Sequence, residues 1–177
     1  MKHSPMYTED SPAVSLRAME PEDLEILYRI ENDVRLWNVG TTNVPHSRYV
    51  LHDYIATATG DIYTDRQVRL MVENGSGDVV GIVDVVNFDP QHLRAEVGIV
   101  IMEPYRRRGY ARMVLSRVAS YSLDILHLHQ LYAFIDKSNT SSLALFRSMG
   151  YREAGELRDW LYDGKTFHDA LLMQLFL

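Results

Sequence analysis

The chain of 177 residues contains no cysteine. This absence excludes disulfide bonds, thiolate-ligated metal centres and catalysis by a cysteine nucleophile. The sequence also lacks any apolar run of roughly 18 residues, the length that a membrane-spanning helix needs, and residues 1–12 lack the apolar stretch of a signal peptide. We therefore expect a cytoplasmic protein that does not use a membrane as a partner.

An excess of positive charge is missing as well, since the formal net charge is −6. Binding to nucleic acid generally needs a broad positive field, so no nucleic acid is expected as a partner, whereas a cationic amine would suit the sign. The seven histidines include one close pair, His127 and His129. No third ligand stands at a diagnostic spacing from this pair, and we expect no metal site.

The composition is that of a globular protein, with 46% apolar and 24% charged residues. Residues 1–13 are polar and without periodicity, and we expect them to form a flexible N-terminal arm. The remaining residues, 14–177, are enough for one domain with a sizeable core.

Hydrophobic periodicity predicts an alternation of strands and helices along residues 14–177. Strands are predicted over 14–19, 66–73, 79–88, 95–102, 130–135, 152–162 and 167–175. Helices are predicted over 21–32, after a cap at Ser47, over 109–126 and over 139–149, with an irregular loop around Trp37. The order predicts an α/β (α+β mixed) fold with a mostly antiparallel sheet of about seven strands flanked by about four helices.

One predicted connection indicates where a ligand binds. The strand over 95–102 crosses through the long helix to the strand over 130–135, which makes these two strands a parallel pair. Ligands of such sheets bind at the carboxyl ends of the strands, where the chain turns into a helix.

The turn at that position reads Glu-Pro-Tyr-Arg-Arg-Arg-Gly-Tyr-Ala, from residue 103 to 111. A helix N terminus offers unpaired N–H groups to a phosphate, Gly109 permits close backbone approach, and Ala111 keeps the first turn uncrowded. Arg106, Arg107 and Arg108 add charge that can reach a pyrophosphate or a ribose phosphate. From charge alone, the alternative is a solvated basic loop.

The spacing Arg106-x-x-Gly109-x-Ala111 resembles the signature of the GCN5-related N-acetyltransferase (GNAT) superfamily. A second block, Asn139-Thr-Ser-Ser142 followed by Phe146, is similar to that family's Asn-containing motif. The resemblance extends from residue 14 to the end and is closest to spermidine (diamine) N-acetyltransferases and their ribosomal-protein acetyltransferase relatives. It implies the GNAT fold and direct transfer of an acetyl group from acetyl-CoA to an amine in a ternary complex.

The resemblance also implies which residues contact acetyl-CoA. Backbone N–H groups of the strand end would hold the pantetheine arm and polarise the thioester carbonyl, and the arginine-rich loop would hold the pyrophosphate. The implied contact residues are Val100, Ile101, Met102, Arg106, Arg107, Arg108, Gly109, Tyr110, Ala111, Asn139, Ser142 and Phe146. Asn139 has a second interpretation as a helix N-cap, which is compatible with binding.

The attacking amine must lose a proton, and a carboxylate can accept it. We expect Glu96 to be the catalytic base, with Asp84 on the neighbouring strand as second choice. The alternative for Glu96 is a solvent-facing carboxylate paired with an arginine.

Two departures from the resemblance concern the leaving group and the acceptor. Relatives place a tyrosine, thought to protonate the leaving thiolate, where this chain has Phe146; Tyr151, Tyr110 and Ser142 are candidate substitutes. Residues 36–50 contain no Asp or Glu, although polyamine acetyltransferases carry many acids there, so a polycation would find little charge complementarity.

Several alternatives for the function stay open at this point. The acceptor is expected to be a polyamine, another small amine or a peptide N terminus, and the alternatives include a protein N-terminal or antibiotic acetyltransferase on the same fold. Phe146 also permits a sensor that binds acetyl-CoA without turnover. The resemblance implies a homo-oligomer, a dimer or larger.

Overall fold

A computed structural model describes residues 11–36 and 44–177. Within these residues, seven strands form a single sheet in the order β1-β2-β3-β4-β5-β7-β6. The strands are β1 Val14–Arg17, β2 Val68–Asn74, β3 Val79–Asp89, β4 Arg94–Ile101, β5 Gln130–Asp136, β6 Arg152–Tyr162 and β7 Phe167–Phe176. Neighbouring strands are antiparallel except β4 and β5, which are parallel. The predicted mixed, mostly antiparallel sheet is confirmed.

The described residues contain five α-helices, one more than the sequence predicted. They are α1 Leu24–Glu31, α2 Arg48–Thr57, α3 Ile62–Asp65, α4 Tyr110–Asp124 and α5 Thr140–Ser148. The additional helix, α3, has four residues, too few to display a helical period in the sequence. Ser47 caps α2 as predicted, because its side chain accepts a hydrogen bond from the N–H of Val50 at 3.1 Å.

Two predictions concern parts of the chain that lie wholly or partly outside the described residues. Trp37 and most of its predicted loop lie there, as do residues 1–10 of the predicted arm. Residues 11–13 lead into β1.

The two faces of the sheet carry separate apolar clusters. On one face, the buried side chains of α4 and α5, including Leu115, Val118 and Phe146, join the large core. On the other face, Ile30 of α1 packs with Met71 and Ile82. The helices α1 and α4 therefore cover opposite faces of the sheet.

The strands β4 and β5 separate part of the way along the sheet. β4 pairs with β3 as far as Ile101, but it pairs with β5 only over Arg94, Ala95 and Glu96. From there to its end, one edge of β4 has no neighbouring strand. The resulting wedge is the feature on which the candidate site is built.

Substitution in α4 tests whether this helix anchors the core beneath the wedge. Leu115 is 1% exposed and Leu123 is 46% exposed on the same helix. Leu115→Ala should lower the free energy of unfolding by about 2–5 kcal/mol, because it removes buried methyl groups and leaves a cavity. The matched control Leu123→Ala should change it by less than about 0.5 kcal/mol. Urea unfolding measures both, and equal effects would contradict this packing.

Candidate active site

A cleft of about 420 Å³ lies over the wedge between β4 and β5. Residues from both sides of the wedge line it, with α1 and α2 on one side and α5 and β6 on the other. Among the residues that line the cleft are Glu31, Tyr54, Arg69, Asp84, Glu96, Gly98, Ile99, Val100, Phe134, Asn139, Ser142 and Phe146. A second pocket of about 340 Å³ shares Ile30, Leu36 and Val100 with the cleft and is also lined by Met102 and Arg106.

The free edge of β4 presents backbone groups to the wedge in alternation. The N–H of Met102 donates to the carbonyl of Val80 at 2.9 Å, so it points towards β3. In an antiparallel ladder every second residue points the same way. The N–H of Val100 therefore also faces β3, while the N–H groups of Ile99 and Ile101 face the wedge.

This alternation bears on the three strand residues predicted to hold pantetheine. The N–H of Met102 is already used within the sheet and that of Val100 points the same way, so Ile101 is the one of the three whose N–H faces the wedge. Ile99 joins it and was missed. Val100 instead contributes its side chain to the lining of the cleft.

The arginine-rich loop leaves β4 and turns sharply into α4. Arg107 and Gly109 both have positive φ, 61° and 85° respectively. Gly109 is the N-cap of α4 and has no side chain, and the first N–H groups of a helix, here those of Tyr110 and Ala111, have no carbonyl in a preceding turn. Such alternating backbone conformations concentrate N–H groups in a concave surface that suits an anion.

The three arginines of this loop have different surroundings. The Nε of Arg106 donates to the carbonyl of Ile101 at 2.8 Å, which fixes the loop to the end of β4. All three arginines are exposed, and among the described residues of the loop only Arg106 makes such a contact to the strand. Arg107 and Arg108 are thus placed to meet a phosphate from solvent, and Arg106 orients the loop.

Asn139 is the N-cap of α5, one of its two predicted interpretations. Its Oδ1 accepts a hydrogen bond from the N–H of Ser142 at 3.1 Å. Both residues also line the cleft, so capping and ligand contact are compatible.

Phe146 is 2% exposed, and its ring meets that of Tyr151 edge-to-face at 4.8 Å. Among the described residues the Tyr151 hydroxyl has no hydrogen-bond partner, and burial raises the pKa of Tyr151 above its ordinary value. Neither Tyr151 nor Tyr110 lines the cleft. Tyr110, the first residue of α4, packs edge-to-face against Tyr105. Of the three candidate proton donors, the structure brings Ser142 to the cleft.

Glu96 is half-buried and faces the cleft from β4. Burial raises the pKa of Glu96 above its ordinary value, although a hydrogen bond from Asn87 Nδ2, 2.8 Å from Oε2, acts in the opposite direction. A bulge in β3 aims Asn87 at this carboxylate, since the β3–β4 register shifts after Val86 and Asn87 adopts φ 51°. A carboxylate with a raised pKa is a stronger base than one in water.

Asp84 has the arginine partner that was considered as an alternative for Glu96. Arg69 Nε lies 2.6 Å from Asp84 Oδ1, and its Nη2 lies 3.0 Å from Oδ2. Arg69 also forms an ion pair with Glu31. Because both oxygens of Asp84 accept from one guanidinium, Asp84 is less suited than Glu96 to accept a proton.

Among the residues that line the cleft, Glu31, Tyr54, Arg69 and Phe134 carry charged or aromatic side chains that the sequence patterns did not single out. They come from elements distant in the sequence, and local periodicity carries no information on such contacts. Arg69 alone had a usable signal, since it and Asp84 carry opposite charges on strands predicted to form a hairpin.

Among residues 11–36 and 44–177, no group of three or more His, Asp or Glu side chains could hold a metal ion. No helix in this part of the chain is long and apolar enough to cross a membrane.

Comparison with known proteins identifies the family. Residues 14–152 match the family described as the acetyltransferase (GNAT) domain. The chain belongs to the GNAT family. It is therefore an N-acetyltransferase by class, and acetyl-CoA is the acetyl donor.

Curated relatives of this GNAT chain include spermidine N(1)-acetyltransferase of Escherichia coli K12, 27% identical over 171 residues, with 93% of this chain and 86% of the relative covered. The putative ribosomal N-acetyltransferase YdaF of Bacillus subtilis is 26% identical over 169 residues, covering 92% and 90%. Among solved structures, spermidine N-acetyltransferase from Vibrio cholerae in complex with CoA and spermine has a TM-score of 0.84 at 24% identity, covering 92% of this chain and 95% of that one. This structural likeness confirms the fold.

If the loop binds phosphate as predicted, Gly109→Ala should have a specific effect. At φ 85° an alanine is strained, and its Cβ would lie 3.2 Å from Pro12 Cδ. The substitution should raise the dissociation constant for CoA about tenfold by distorting the loop, as isothermal titration calorimetry can measure. The control Gly155→Ala places its Cβ in open space and should leave affinity unchanged. Equal affinities of the two variants would exclude the loop as the phosphate site.

The hydrogen bond from Asn87 predicts a shift in the pH profile. Donation to the Glu96 carboxylate favours its charged form, so loss of the donor raises the pKa of Glu96 further. Activity that needs the deprotonated base is lost as the pH falls through this pKa. In Asn87→Gly, which tolerates the positive φ, the acidic limb of kcat/KM should therefore move to higher pH. A limb that stays in place would mean that Glu96 does not set it.

Proposed function

We propose that this GNAT chain transfers the acetyl group of acetyl-CoA to a primary amine whose nitrogen is held beside Glu96. The observation that carries the proposal is the position of Glu96. This half-buried carboxylate with a raised pKa faces the cleft from β4, just where the pairing of β4 with β5 ends.

The free edge of β4 and the loop after it would hold the donor. The N–H groups of Ile99 and Ile101 face the wedge, where they can donate to the thioester carbonyl and stabilise the negative charge that develops on its oxygen. The loop from Arg106 to Ala111, which follows the end of β4, would bind the pyrophosphate. Asn139 and Ser142 line the opposite wall and would contact the pantetheine side.

The chemistry assigned to the residues follows from these positions. An amine enters mainly as an ammonium, and Glu96 accepts its proton directly or through water. The nitrogen then forms a bond to the acetyl carbon while the bond from that carbon to sulfur breaks, and the nitrogen gives up a second proton, which the released thiolate accepts directly or through water. A thiolate is a tolerable leaving group near neutral pH, so Phe146 does not prevent turnover.

A carboxylate and an aromatic ring in the cleft support a cationic acceptor. Glu96, whose hydrogen-bond partner Asn87 is neutral, lines the cleft together with Phe134, whose ring face can attract an ammonium. The names of relatives make spermidine the first polyamine to test, with a peptide N terminus as the second candidate.

We also propose that residues 14–177 act as one domain in the cytoplasm. A homo-oligomer is part of the proposal because a related V. cholerae enzyme is described as dodecameric.

Release of CoA thiol from acetyl-CoA tests the proposed reaction. With spermidine, simple amines and N-terminal peptides as acceptors, wild type should turn over at least one of them. Glu96→Gln should lower kcat/KM by roughly 10²-fold or more, because it removes the proton acceptor. The control Glu22→Gln changes an exposed carboxylate outside the cleft and should retain wild-type activity.

Two other results would contradict the proposal in different ways. Binding of acetyl-CoA without turnover on any acceptor would favour the sensor. Wild-type rates in Glu96→Gln would remove Glu96 from the mechanism.

A further inference from the structure

At one end of the cleft, Arg69 lies between two carboxylates, those of Asp84 and Glu31. The side chain of Arg69 on β2 is 19% exposed and contacts both Asp84 and Glu31, which are 23% and 18% exposed. The ring of Tyr54, from α2, lies with its centroid 5.6 Å from the guanidinium carbon. Three of the Arg69 nitrogens are thereby used within the protein.

The strand register places this group within reach of an acceptor held at Glu96. Arg69 is opposite Asp84, and Asp84 is opposite Gly98, so these three residues form a row across β2, β3 and β4. Glu96 lies two residues before Gly98 on the same face of β4. Diagonal neighbours of this kind are about 7–8 Å apart, a separation that the two nitrogens of a short diamine can span.

Gly98 leaves the space between the two carboxylates open. A Cβ added at Gly98 would approach the Cβ of Asp84 no closer than 4.0 Å. An acceptor bound with its reacting nitrogen at Glu96 can therefore extend over Gly98 towards Asp84. What it meets there is an acid whose charge is already compensated by Arg69.

We propose that Arg69 is a specificity-determining residue that offsets one of the two negative charges of Asp84 and Glu31 and occupies both oxygens of Asp84, so that the cleft accepts one ammonium at Glu96 and gains little from a second. This inference rests on the proposed function and narrows its acceptor class to amines with a single positive charge near the reacting nitrogen. Arg69 itself does not take part in the chemical step.

Binding of an isosteric pair of amines tests the role of Arg69 without requiring turnover. The pair is 1,4-diaminobutane and pentylamine, in which a methyl group replaces the second ammonium. Isothermal titration calorimetry on the protein saturated with CoA should give dissociation constants within about threefold of each other for wild type. In Arg69→Gln the diamine should bind about tenfold more tightly relative to pentylamine, because two carboxylates lose their partner, and added salt should reduce this preference.

Asp84→Asn provides a second variant with the opposite expected sign. It removes one negative charge and leaves Arg69 less compensated, so the diamine should lose about tenfold relative to pentylamine. A purely structural role for the ion pair would not move the two variants in opposite directions. This variant also keeps the test decisive if Arg69→Gln does not fold.

Arg17→Gln is the matched control. Arg17 likewise contacts two carboxylates, Asp23 and Glu73, at 2.6 Å each, but it does not line the cleft. Its substitution should leave the ratio of the two dissociation constants unchanged.

Four outcomes would overturn the assignment of Arg69. These are a wild-type preference for the diamine above about tenfold, an unchanged ratio in folded Arg69→Gln, an equal change in Arg17→Gln, and failure of either amine to bind any variant. A gain in affinity for the diamine relative to pentylamine that occurs in Arg69→Gln and not in Arg17→Gln would support the assignment. Absence of CoA release with both amines counts against the proposed function, whereas the ratio of dissociation constants still reports on Arg69.

Discussion

The end of pairing between β4 and β5 at Glu96 is the constraint on which the rest of the site depends. Up to Glu96 the two strands hold each other in register; beyond it β4 keeps its bonds to β3 and exposes its other edge. Unpaired backbone N–H groups in a fold are costly unless something satisfies them. A ligand that accepts hydrogen bonds along an extended segment, as the pantetheine arm does, can take the place of the missing strand.

Local backbone features align other groups with this edge. A bulge in β3 turns Asn87 onto Glu96, and Arg106 binds the carbonyl of Ile101 so that the loop starts from a fixed point. Gly109 then lets the chain enter α4 with positive φ and without a side chain at the helix start. The candidate base, the strand edge and the arginine-rich loop thus all belong to the continuous segment from β3 to α4.

Charge within the cleft separates its carboxylates into different roles. Asp84 and Glu31 share Arg69, while Glu96 has a neutral partner, Asn87. Burial raises the pKa of Glu96, whereas both oxygens of Asp84 are occupied by the Arg69 guanidinium. The difference in environment, rather than in residue type, therefore distinguishes the candidate base from its neighbours.

Much of this architecture was predictable because it depends on patterns among residues that are close together in the sequence. Alternation and turn residues located all seven strands, and the Ser47 cap located α2. The spacing of Arg106, Gly109 and Ala111 pointed to the family that residues 14–152 match. The four-residue helix α3 was too short to show a period, and the pairing of Arg69 with Asp84 and Glu31 depends on contacts between distant segments. The direction of each N–H group on β4 depends on which alternate residues of β4 bond to β3, and residue type does not determine this.

Amide hydrogen exchange, followed by NMR with and without CoA, tests most directly whether the free edge of β4 holds the donor. We expect the amides of Ile99 and Ile101 to exchange rapidly in the free protein and to become protected when CoA binds. The amides of Val100 and Met102, which face β3, should be protected in both states. Strong protection of Ile99 and Ile101 before CoA is added, with no change afterwards, would contradict the account.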